Sequence, residues 1–366
     1  FTPDGTKILV ANEGEPEPIS TNPVTNPEGS ISIINLANGV RSATVTRVGF
    51  TGFNSQKAAL KAARVRLLGN ANSGPTVAED VEPEYITISA DGAKAWISLQ
   101  ENNALAVLDV NTATITEILP LGWKNHNLPG NQLDASDRDN AINIRNWPVF
   151  GMYMPDTVAS YSVNGQTYIL TANEGDDRNN DVARVNSLTL DPTAFPNGNT
   201  LKQNPNLGKL TVSTVDGDTD GDGDYDQLYS LGARSFSIRD SQGNLVFDSG
   251  NVFENITASA FPAFFNTDAD TNSFDSRSDN KGPEPEGLAL GQIGDRFYAF
   301  IGLERIGGFM TYDITNPTAP FFVSYNNSRN FSQDPGPGTG GDISPEGVLF
   351  ISSQDSPNGQ ALVVLT

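Results

Sequence analysis

Apolar and polar positions alternate along this chain in short runs, and one hairpin pattern recurs at several places. A turn containing Gly with Asp or Asn leads into four or five mostly apolar residues, and a polar, acidic turn follows them. Such turns supply the positive φ angles that tight hairpins need, so the pattern predicts antiparallel strand pairs. These units lie at residues 2–15, 89–102, 164–176 and 294–305.

A third apolar strand follows several of the hairpins and ends on Asp or Asn before another turn. The clearest examples are residues 30–34, 104–109 and 308–313. Three or four antiparallel strands per unit, repeated around a ring, are typical of a β-propeller, which avoids exposed sheet edges. The pattern therefore predicts an all-β fold of the β-propeller class.

A short signature precedes the first strand of each predicted blade. It occurs at residues 82–85, 154–156, 283–287 and 344–347, and residues 232–235 occupy the equivalent place in one unit. With the first unit this gives six blade starts. The gaps exceed the ~40–50 residues of a simple blade. We therefore expect one propeller domain over residues 1–366, with insertions near 41–80, 119–150, 191–230 and 251–280.

One helix is predicted, at residues 55–63, where an alanine-rich segment follows the capping residues Asn54 and Ser55. Residues 1–5 read as the middle of a hairpin, so we expect further blade strands upstream of Phe1, where a signal peptide could also lie. The last apolar run, at 361–365, reads as one strand without a closing partner. We find no run of the ~20 apolar residues that a membrane span needs.

The charge balance restricts the partners. With 44 acidic and 22 basic residues the formal net charge is −22, which repels nucleic acid and anionic membranes and attracts divalent cations. The chain has no cysteine and one histidine, His126. Any metal must therefore be held by oxygen, which favours Ca²⁺, Mg²⁺ or Mn²⁺. For His126 itself, a surface position or a hydrogen-bonding role in its loop is favoured over general acid–base catalysis.

Six aspartates alternate with small residues in one loop, and they are the strongest candidate metal ligands. Alternate positions of a tight glycine-rich loop can direct carboxylates at one centre. The loop resembles the start of an EF-hand, but position 12 is Gln227 or Tyr229 instead of glutamate. We expect a Ca²⁺ loop that is not an EF-hand, with a merely solvated acidic loop as the alternative. The aspartates are Asp216, Asp218, Asp220, Asp222, Asp224 and Asp226.

Acidic residues also recur at the blade starts and at the turns that follow the second strands. Equivalent positions of successive blades converge on one face of a propeller. Such a ring could hold a metal and, with an arginine, clamp a phosphate ester; alternatively, the acids only accept backbone hydrogen bonds at blade junctions. The blade-start set is Glu84, Asp156, Glu286 and Glu346 with Arg234, and the turn set is Glu13, Glu101, Glu174 and Glu304. From these sets and Arg305, which follows Glu304, we select Glu286, Glu304, Arg305 and Arg234 as candidate catalytic residues. Glu84 and Glu346 are further candidate metal ligands.

Weaker acidic clusters occur in three other loops, and for each an exposed loop is favoured over a metal site. They are Asp134, Asp137 and Asp139; Asp176, Asp177 and Asp181; and Asp268, Asp270, Asp275 and Asp279.

Taken together, these segments resemble the choice-of-anchor I domain family over nearly the whole chain. The resembling stretches are FTPDGTKILVANEGEPE, VEPEYITIS, LQENNALAVLDV, LPGNQLDASDRDNAINI, YILTANEGDDR, LTLDPTAFPN, DGDTDGDGDYDQLYSLGARSFSI, NLVFDSG, DNKGPEPEGLALG and YAFIGLERIGGFMTYDITNP. Family members are secreted or surface propellers, related to mesenchyme-specific cell-surface glycoproteins and to an atypical cyanobacterial alkaline phosphatase. The resemblance implies seven blades, within a range of six to eight.

Two functions remain open on this basis. The first is an exported, calcium-binding propeller of the cell surface or extracellular matrix that binds surface or matrix components. The second is a metal-dependent, alkaline phosphatase-like phosphoesterase that acts on phosphate esters, with a second oxygen-ligated divalent metal. Iron–calcium propeller phosphatases use a cysteine ligand, so their site cannot be carried over to this chain. Neither function involves nucleic acid or a membrane span.

Overall fold

The computed structural model describes residues 1–16, 26–70, 72–178, 181–335 and 339–366. Strands predominate over these residues, and the helices are few and short. The strands are β1 (Lys7–Asn12), β2 (Ser30–Asn35), β3 (Thr44–Gly49), β4 (Pro83–Ile88), β5 (Lys94–Leu99), β6 (Ala104–Asp109), β7 (Thr114–Pro120), β8 (Trp123–Asn125), β9 (Phe150–Met152), β10 (Val158–Val163), β11 (Gln166–Asn173), β12 (Val182–Arg184), β13 (Thr211–Ser213), β14 (Tyr229–Ser230), β15 (Ser235–Asp240), β16 (Leu245–Asp248), β17 (Pro285–Ile293), β18 (Arg296–Leu303), β19 (Phe309–Asp313), β20 (Phe321–Asn326), β21 (Val348–Ile351) and β22 (Leu362–Leu365). The helices are α1 (Lys57–Ala62), α2 (Val77–Asp80), α3 (Gly198–Leu201) and α4 (Val252–Ala260). Shorter helical segments are the 3₁₀ turns Val40–Ser42, Thr51–Gln56, Val185–Ser187 and Pro262–Phe264 and the π turn Asn204–Gly208.

Most of the blade-like sheets join strands that are consecutive along the chain. The sheets β4-β5-β6-β7 and β17-β18-β19-β20 have four antiparallel strands each, β1-β2-β3 has three, and β21-β22 is a two-stranded hairpin. An antiparallel meander of up to four strands is the unit of a β-propeller. The predicted fold class, an all-β protein of the β-propeller class, is confirmed, and the described residues form seven sheets.

One predicted blade start is wrong. Residues 232–235 lead into β15, which is the third strand of the sheet β10-β11-β15-β16 and not the first strand of a blade. The chain leaves this sheet after β11 and returns to it only at β15. The long excursion separates strands of one blade along the sequence, so spacing alone suggested two blades. This segment also lacks the Pro-Glu or Pro-Asp pair of the other signatures.

Two small sheets lie outside the blade pattern. One is β8-β9-β14, in which β9 and β14 run parallel through the pairing of Phe150 with Tyr229. The other is the antiparallel pair β12-β13. The connection from β13 to β14 contains the aspartate-rich loop, so these sheets fix both ends of that loop.

The predicted helix is confirmed as α1, and a 3₁₀ turn occupies the six residues before it. Three more helices were not predicted. For α2 the sequence does carry a signal, because Thr76 and Glu79 form a capping box. For α4 it does not, since Val252, Ile256 and Thr257 are β-branched and favour strands.

Contacts group the described residues into two compact units. The first comprises 1–122, 154–171 and 239–245, and the second comprises 123–153, 172–238 and 246–366. The core of the first unit is mostly aliphatic, with Ile31, Leu67 and Ile97 fully buried, and it includes the ring of Phe50. The second unit also buries aromatic rings, and the Phe236 and Tyr312 centroids are 4.7 Å apart. No described helix has the length and apolar character of a membrane span.

Candidate functional site

Two groups of carboxylates form in the aspartate-rich loop and share Asp226. Oxygens of Asp218, Asp220 and Asp226 lie within 4.8 Å of one another, and so do oxygens of Asp224, Asp226 and Asp191. Gly217 and Gly223 adopt φ angles of +110° and +100°, which residues with a side chain rarely reach. The glycines therefore permit the tight path that brings alternate carboxylates together.

The loop oxygens are held by local hydrogen bonds. Asp218 accepts hydrogen bonds from the amides of Gly221 at 2.7 Å and Gly223 at 3.1 Å. Asp226 Oδ2 accepts from the amide of Thr219 at 2.8 Å and from its hydroxyl at 2.6 Å. These bonds to Thr219 lower the pKa of Asp226. Asp226 is therefore ionised at neutral pH, as a cation ligand must be.

The other loop aspartates differ in their surroundings. Asp216 turns back to accept a hydrogen bond from Ser213 Oγ at 2.8 Å, and Asp222 accepts one from the amide of Asp224 at 3.1 Å. Partial loss of hydration, followed by the charges of Asp222 and Asp191, raises the pKa of Asp224. The loop thus concentrates like charges that a bound cation would neutralise.

Asp191 was not among the predicted ligands. It lies far from the loop in sequence, and its amide donates a hydrogen bond to the Tyr225 carbonyl at 3.1 Å. A parallel bridge between Leu190 and Tyr225 fixes this contact. No local pattern could have identified Asp191, because it reaches the loop only through this tertiary pairing.

A second carboxylate cluster is buried in the second unit. Glu174 follows β11, Glu286 lies at the start of β17, and Glu304 follows β18. Oxygens of these three residues lie within 4.8 Å of one another. The predicted candidates Glu286, Glu304 and Arg305 are therefore together in space, and Glu174 from the predicted turn set joins them.

Basic side chains surround Glu284, which lies two residues before Glu286. Its carboxylate is fully buried and contacts Arg277 Nη2 at 2.6 Å, Arg305 Nε at 3.0 Å and Lys281 Nζ at 3.3 Å. Burial alone would raise the pKa of Glu284, but Lys281, Arg277 and Arg305 outweigh it and lower the pKa. Glu284 thus anchors the basic side chains beside the cluster.

Basic side chains compensate the negative charges of the cluster glutamates less completely than that of Glu284. Lys281 Nζ lies 2.7 Å from Glu174 Oε1, and Arg305 Nη1 lies 3.0 Å from Glu304 Oε1. Burial still raises the pKa of Glu174 to about 7. Burial, followed by the charge of Glu284, also raises the pKa of Glu304.

The first unit contains a comparable group at the equivalent signature. Burial, followed by the charges of Glu101, Asp156 and Glu13, raises the pKa of Glu84 to about 9. Glu84 also shares a hydrogen bond with Asp156. The predicted blade-start and turn acids of this unit therefore do meet. Glu346, by contrast, is exposed and belongs to none of the converging carboxylate groups of the described residues.

Arg234 is buried and makes internal contacts. Its side chain is buried and donates to Glu254 Oε1 at 2.7 Å and to the carbonyls of Asp134, Ser278 and Asn280 at 2.6, 2.7 and 2.8 Å. All these contacts lie within the protein, so the structure gives Arg234 the role of a brace and does not place it in a catalytic site.

His126 is also buried, and its Nδ1 lies 2.6 Å from the Asn131 carbonyl. Burial, followed by the charge of Lys124, lowers the pKa of His126 well below its ordinary value. A surface position for His126 is therefore wrong, and a neutral ring in this position supports the hydrogen-bonding alternative.

The weaker acidic clusters contain buried aspartates, and the expectation of an exposed loop is wrong for these residues. Asp134, Asp275 and Asp279 are buried. Burial raises the pKa of Asp134 to about 7 and that of Asp275 to about 8. Asp279 pairs with Arg184 at 3.0 Å. Their loops are covered by tertiary packing that composition does not reveal.

Known proteins resemble the chain in sequence. The family model described as the choice-of-anchor I domain matches residues 1–317. Gigasin-3a of Magallana gigas is 37% identical over 172 residues, covering 44% of this chain and 60% of that protein. The mesenchyme-specific cell surface glycoprotein of Strongylocentrotus purpuratus is 30% identical over 320 residues, covering 75% of this chain and 41% of that protein. The matches thus span between 41% and 60% of these relatives' own lengths.

Among solved structures, the chain matches the β-propeller domain of Myceliophteria thermophila Cps50, and the match covers 89% of this chain and 58% of the Cps50 chain. The identity is 8% and the TM-score is 0.32.

Proposed function

The chain belongs to the choice-of-anchor I domain family, and on this premise we propose that it is a calcium-binding β-propeller that binds components of a cell surface or extracellular matrix. The relative from Strongylocentrotus purpuratus is a cell surface glycoprotein by name, which supports an extracellular or surface location. The excess of acidic residues, 44 against 22 basic, suits a protein that works among divalent cations.

The observation that carries the calcium proposal is the shared position of Asp226 in two carboxylate groups. Ca²⁺ takes six to eight oxygen ligands at ~2.3–2.6 Å, often from carboxylates in a flexible loop. Five aspartates, Asp191, Asp218, Asp220, Asp224 and Asp226, supply carboxylates here, and the two groups offer adjacent cation positions. Extracellular modules bind Ca²⁺ with Kd values of ~10⁻⁴–10⁻³ M, a range suited to an exposed loop.

Calorimetric titration of the chelator-treated protein with Ca²⁺ tests this proposal, together with the melting temperature. We expect Ca²⁺ at a hundredfold excess over Kd to stabilise the folded state by about 2.7 kcal/mol. Asp226→Asn should remove most of this stabilisation, because it weakens both carboxylate groups. Asp295→Asn is the matched control, since Asp295 is an exposed turn residue outside both groups. An equal Ca²⁺ response in both variants would contradict the proposal.

Phosphate ester hydrolysis is a second candidate function. The observation that favours it is the meeting of Glu286, Glu304 and Arg305 in one place. An arginine beside metal-binding carboxylates can clamp a phosphoryl group and stabilise its developing charge. If the function is correct, p-nitrophenyl phosphate is hydrolysed in the presence of Mn²⁺ or Ca²⁺, and Glu286→Gln and Arg305→Ala each lower kcat/KM. Hydrolysis that neither substitution affects would exclude this site.

A further inference from the structure

The cluster of Glu174, Glu286 and Glu304 is built by three separate strand ends of the second unit. Pro285 pairs with Leu303, and the register then shifts before Leu288. Such irregularities re-aim side chains at the edges of sheets. Glu286 lies within this shift, while Glu304 immediately follows Leu303 and its amide donates to the Glu284 carbonyl at 2.9 Å. The backbone therefore holds two of the three carboxylates in place.

The third carboxylate is positioned by a close backbone contact. Gly175 and Gly232 both have positive φ angles, of +87° and +72°. A methyl group on Gly232 would overlap the Glu174 carbonyl oxygen, so the two chain segments touch directly here. This contact fixes the turn that carries Glu174, and the cluster is thus held by the framework of its unit.

The basic neighbours satisfy only part of the cluster. Lys281 contacts Glu174 Oε1 and Arg305 contacts Glu304 Oε1. Glu304 Oε2 is buried, and no N–H or hydroxyl group of the described residues donates a hydrogen bond to it. The Glu304 side chain is only 10% exposed, and its carboxyl group shares a hydrogen bond with that of Glu286. A buried polar atom without a partner ordinarily costs about 1–3 kcal/mol, and a charged one more. In native structures an ion, a ligand or a water molecule often completes the contacts of such an atom.

We propose that Glu174, Glu286 and Glu304 bind one hard divalent cation, of the class of Mn²⁺ and Ca²⁺. All three donors are carboxylate oxygens, and cations of this class prefer such ligands to nitrogen or sulfur. Three ionised carboxylates carry one more charge than a divalent cation neutralises. The positive charges of Lys281 and Arg305 lie beside them. The cation would contact Glu304 Oε2, the oxygen to which no N–H or hydroxyl group of the described residues donates.

This site is independent of the calcium loop of the proposed function, because the two share no residue. The experiment therefore uses a background variant in which Asp218, Asp220 and Asp226 are all replaced by Asn. Mn²⁺ is the probe, and its binding is followed by electron paramagnetic resonance and calorimetry on the whole chain. We expect the background variant to bind one equivalent of Mn²⁺.

Glu304→Gln in this background should weaken Mn²⁺ binding by at least about tenfold, because loss of even a group that only orients a ligand costs 10–100-fold. Glu117→Gln is the matched control, since Glu117 is exposed on β7. In chelator, Glu304→Gln should raise the melting temperature, because it relieves repulsion within the cluster. A residue that only stabilised the fold would give the opposite sign.

The outcomes separate the two proposals. If the background variant binds no Mn²⁺, or if Glu304→Gln leaves its affinity unchanged, the buried site is excluded and the loop proposal is unaffected. If the wild-type protein and the background variant bind the same single equivalent, the buried site is supported and the loop fails. Should Glu304→Gln not fold, Glu286→Gln replaces it, because Glu286 is partly exposed; unchanged Mn²⁺ affinity in that variant also excludes the site.

Discussion

At the scale of single residues, Arg234 shows how this protein accommodates a buried charge. The guanidinium is matched by one carboxylate, that of Glu254, and by three backbone carbonyls. Glu254 in turn accepts a hydrogen bond from Asn266 Nδ2 at 2.9 Å. Both charged groups are almost fully buried, so each depends on the other for compensation.

Arg234→Met should therefore destabilise the protein by about 3–5 kcal/mol, because it leaves the Glu254 charge buried without its partner. Urea denaturation at pH 7, followed by fluorescence, measures the change. Arg41→Met is the control, since Arg41 is exposed, and it should change the free energy of unfolding little. A loss below about 1 kcal/mol for Arg234→Met would mean that the pair is solvated.

Glu84 provides a pH-dependent prediction. Its pKa is raised from 4.5 to about 9, first by burial and then by Glu101, Asp156 and Glu13. The folded state therefore keeps a proton that the unfolded chain releases above pH 4.5. The free energy of unfolding should fall as the pH rises from about 5 toward 9.

Glu84→Gln should flatten this dependence and stabilise the protein at pH 8 relative to the wild type. The measurement is the melting temperature from pH 5 to pH 9 in chelator, which keeps metal ions from competing with protons. Glu117→Gln should leave the slope as it is, because Glu117 is exposed. If Glu84→Gln has the wild-type slope, Glu84 is ionised in the folded protein.

At the scale of elements, the turns at the strand ends determine where the acids lie. The signature Pro283-Glu284-Pro285-Glu286 directs one glutamate to a cation cage and the next to the carboxylate cluster. In the first unit the same signature has a similar shift of register between Pro83 and Ile86. The repeated signature was visible in the sequence. The different contacts of its two glutamates were not, because they depend on how each side chain is buried.

Gly232→Ala should test the turn that carries Glu174. The new methyl group would overlap the Glu174 carbonyl, and overpacking of this kind costs roughly 1–3 kcal/mol beyond the strain of a positive φ. Gly165→Ala is a matched control, because Gly165 has a φ of +77° and no atom near its added methyl group. Comparison of the two unfolding free energies isolates the contact; equal losses would show that the turn adjusts freely.

At the scale of the whole molecule, the formal net charge of −22 matters. Self-repulsion at such a charge destabilises a compact state, and salt screens it, with a Debye length that falls from ~30 Å at 0.01 M to ~10 Å at 0.1 M. In the presence of a chelator, the melting temperature should therefore rise as the NaCl concentration increases from about 0.01 M to about 0.5 M. KCl should act equally, because screening does not depend on the identity of the monovalent ion. A melting temperature that stays constant would show that local ion pairs already balance the charge.

The sequence by itself determined the strand pattern, the propeller class and the chemical character of any metal site. Period-two apolar runs between Gly and Asp turns favour strands locally, and the absence of cysteine with only one histidine leaves oxygen as the ligand atom. The aspartate loop was recognisable for the same reason, because its six aspartates lie within eleven consecutive residues. Residue types and short spacings of this kind can be recognised from the sequence alone.

Tertiary structure alone decided which distant groups meet. The pairing of Leu190 with Tyr225 brings Asp191 to the loop, and the ends of β11, β17 and β18 bring Glu174, Glu286 and Glu304 together. It also buried Arg234, which the sequence offered as catalytic. The physical reason is that strand register and burial set distances and hydration between residues far apart in the chain, and neither quantity is encoded in local spacing.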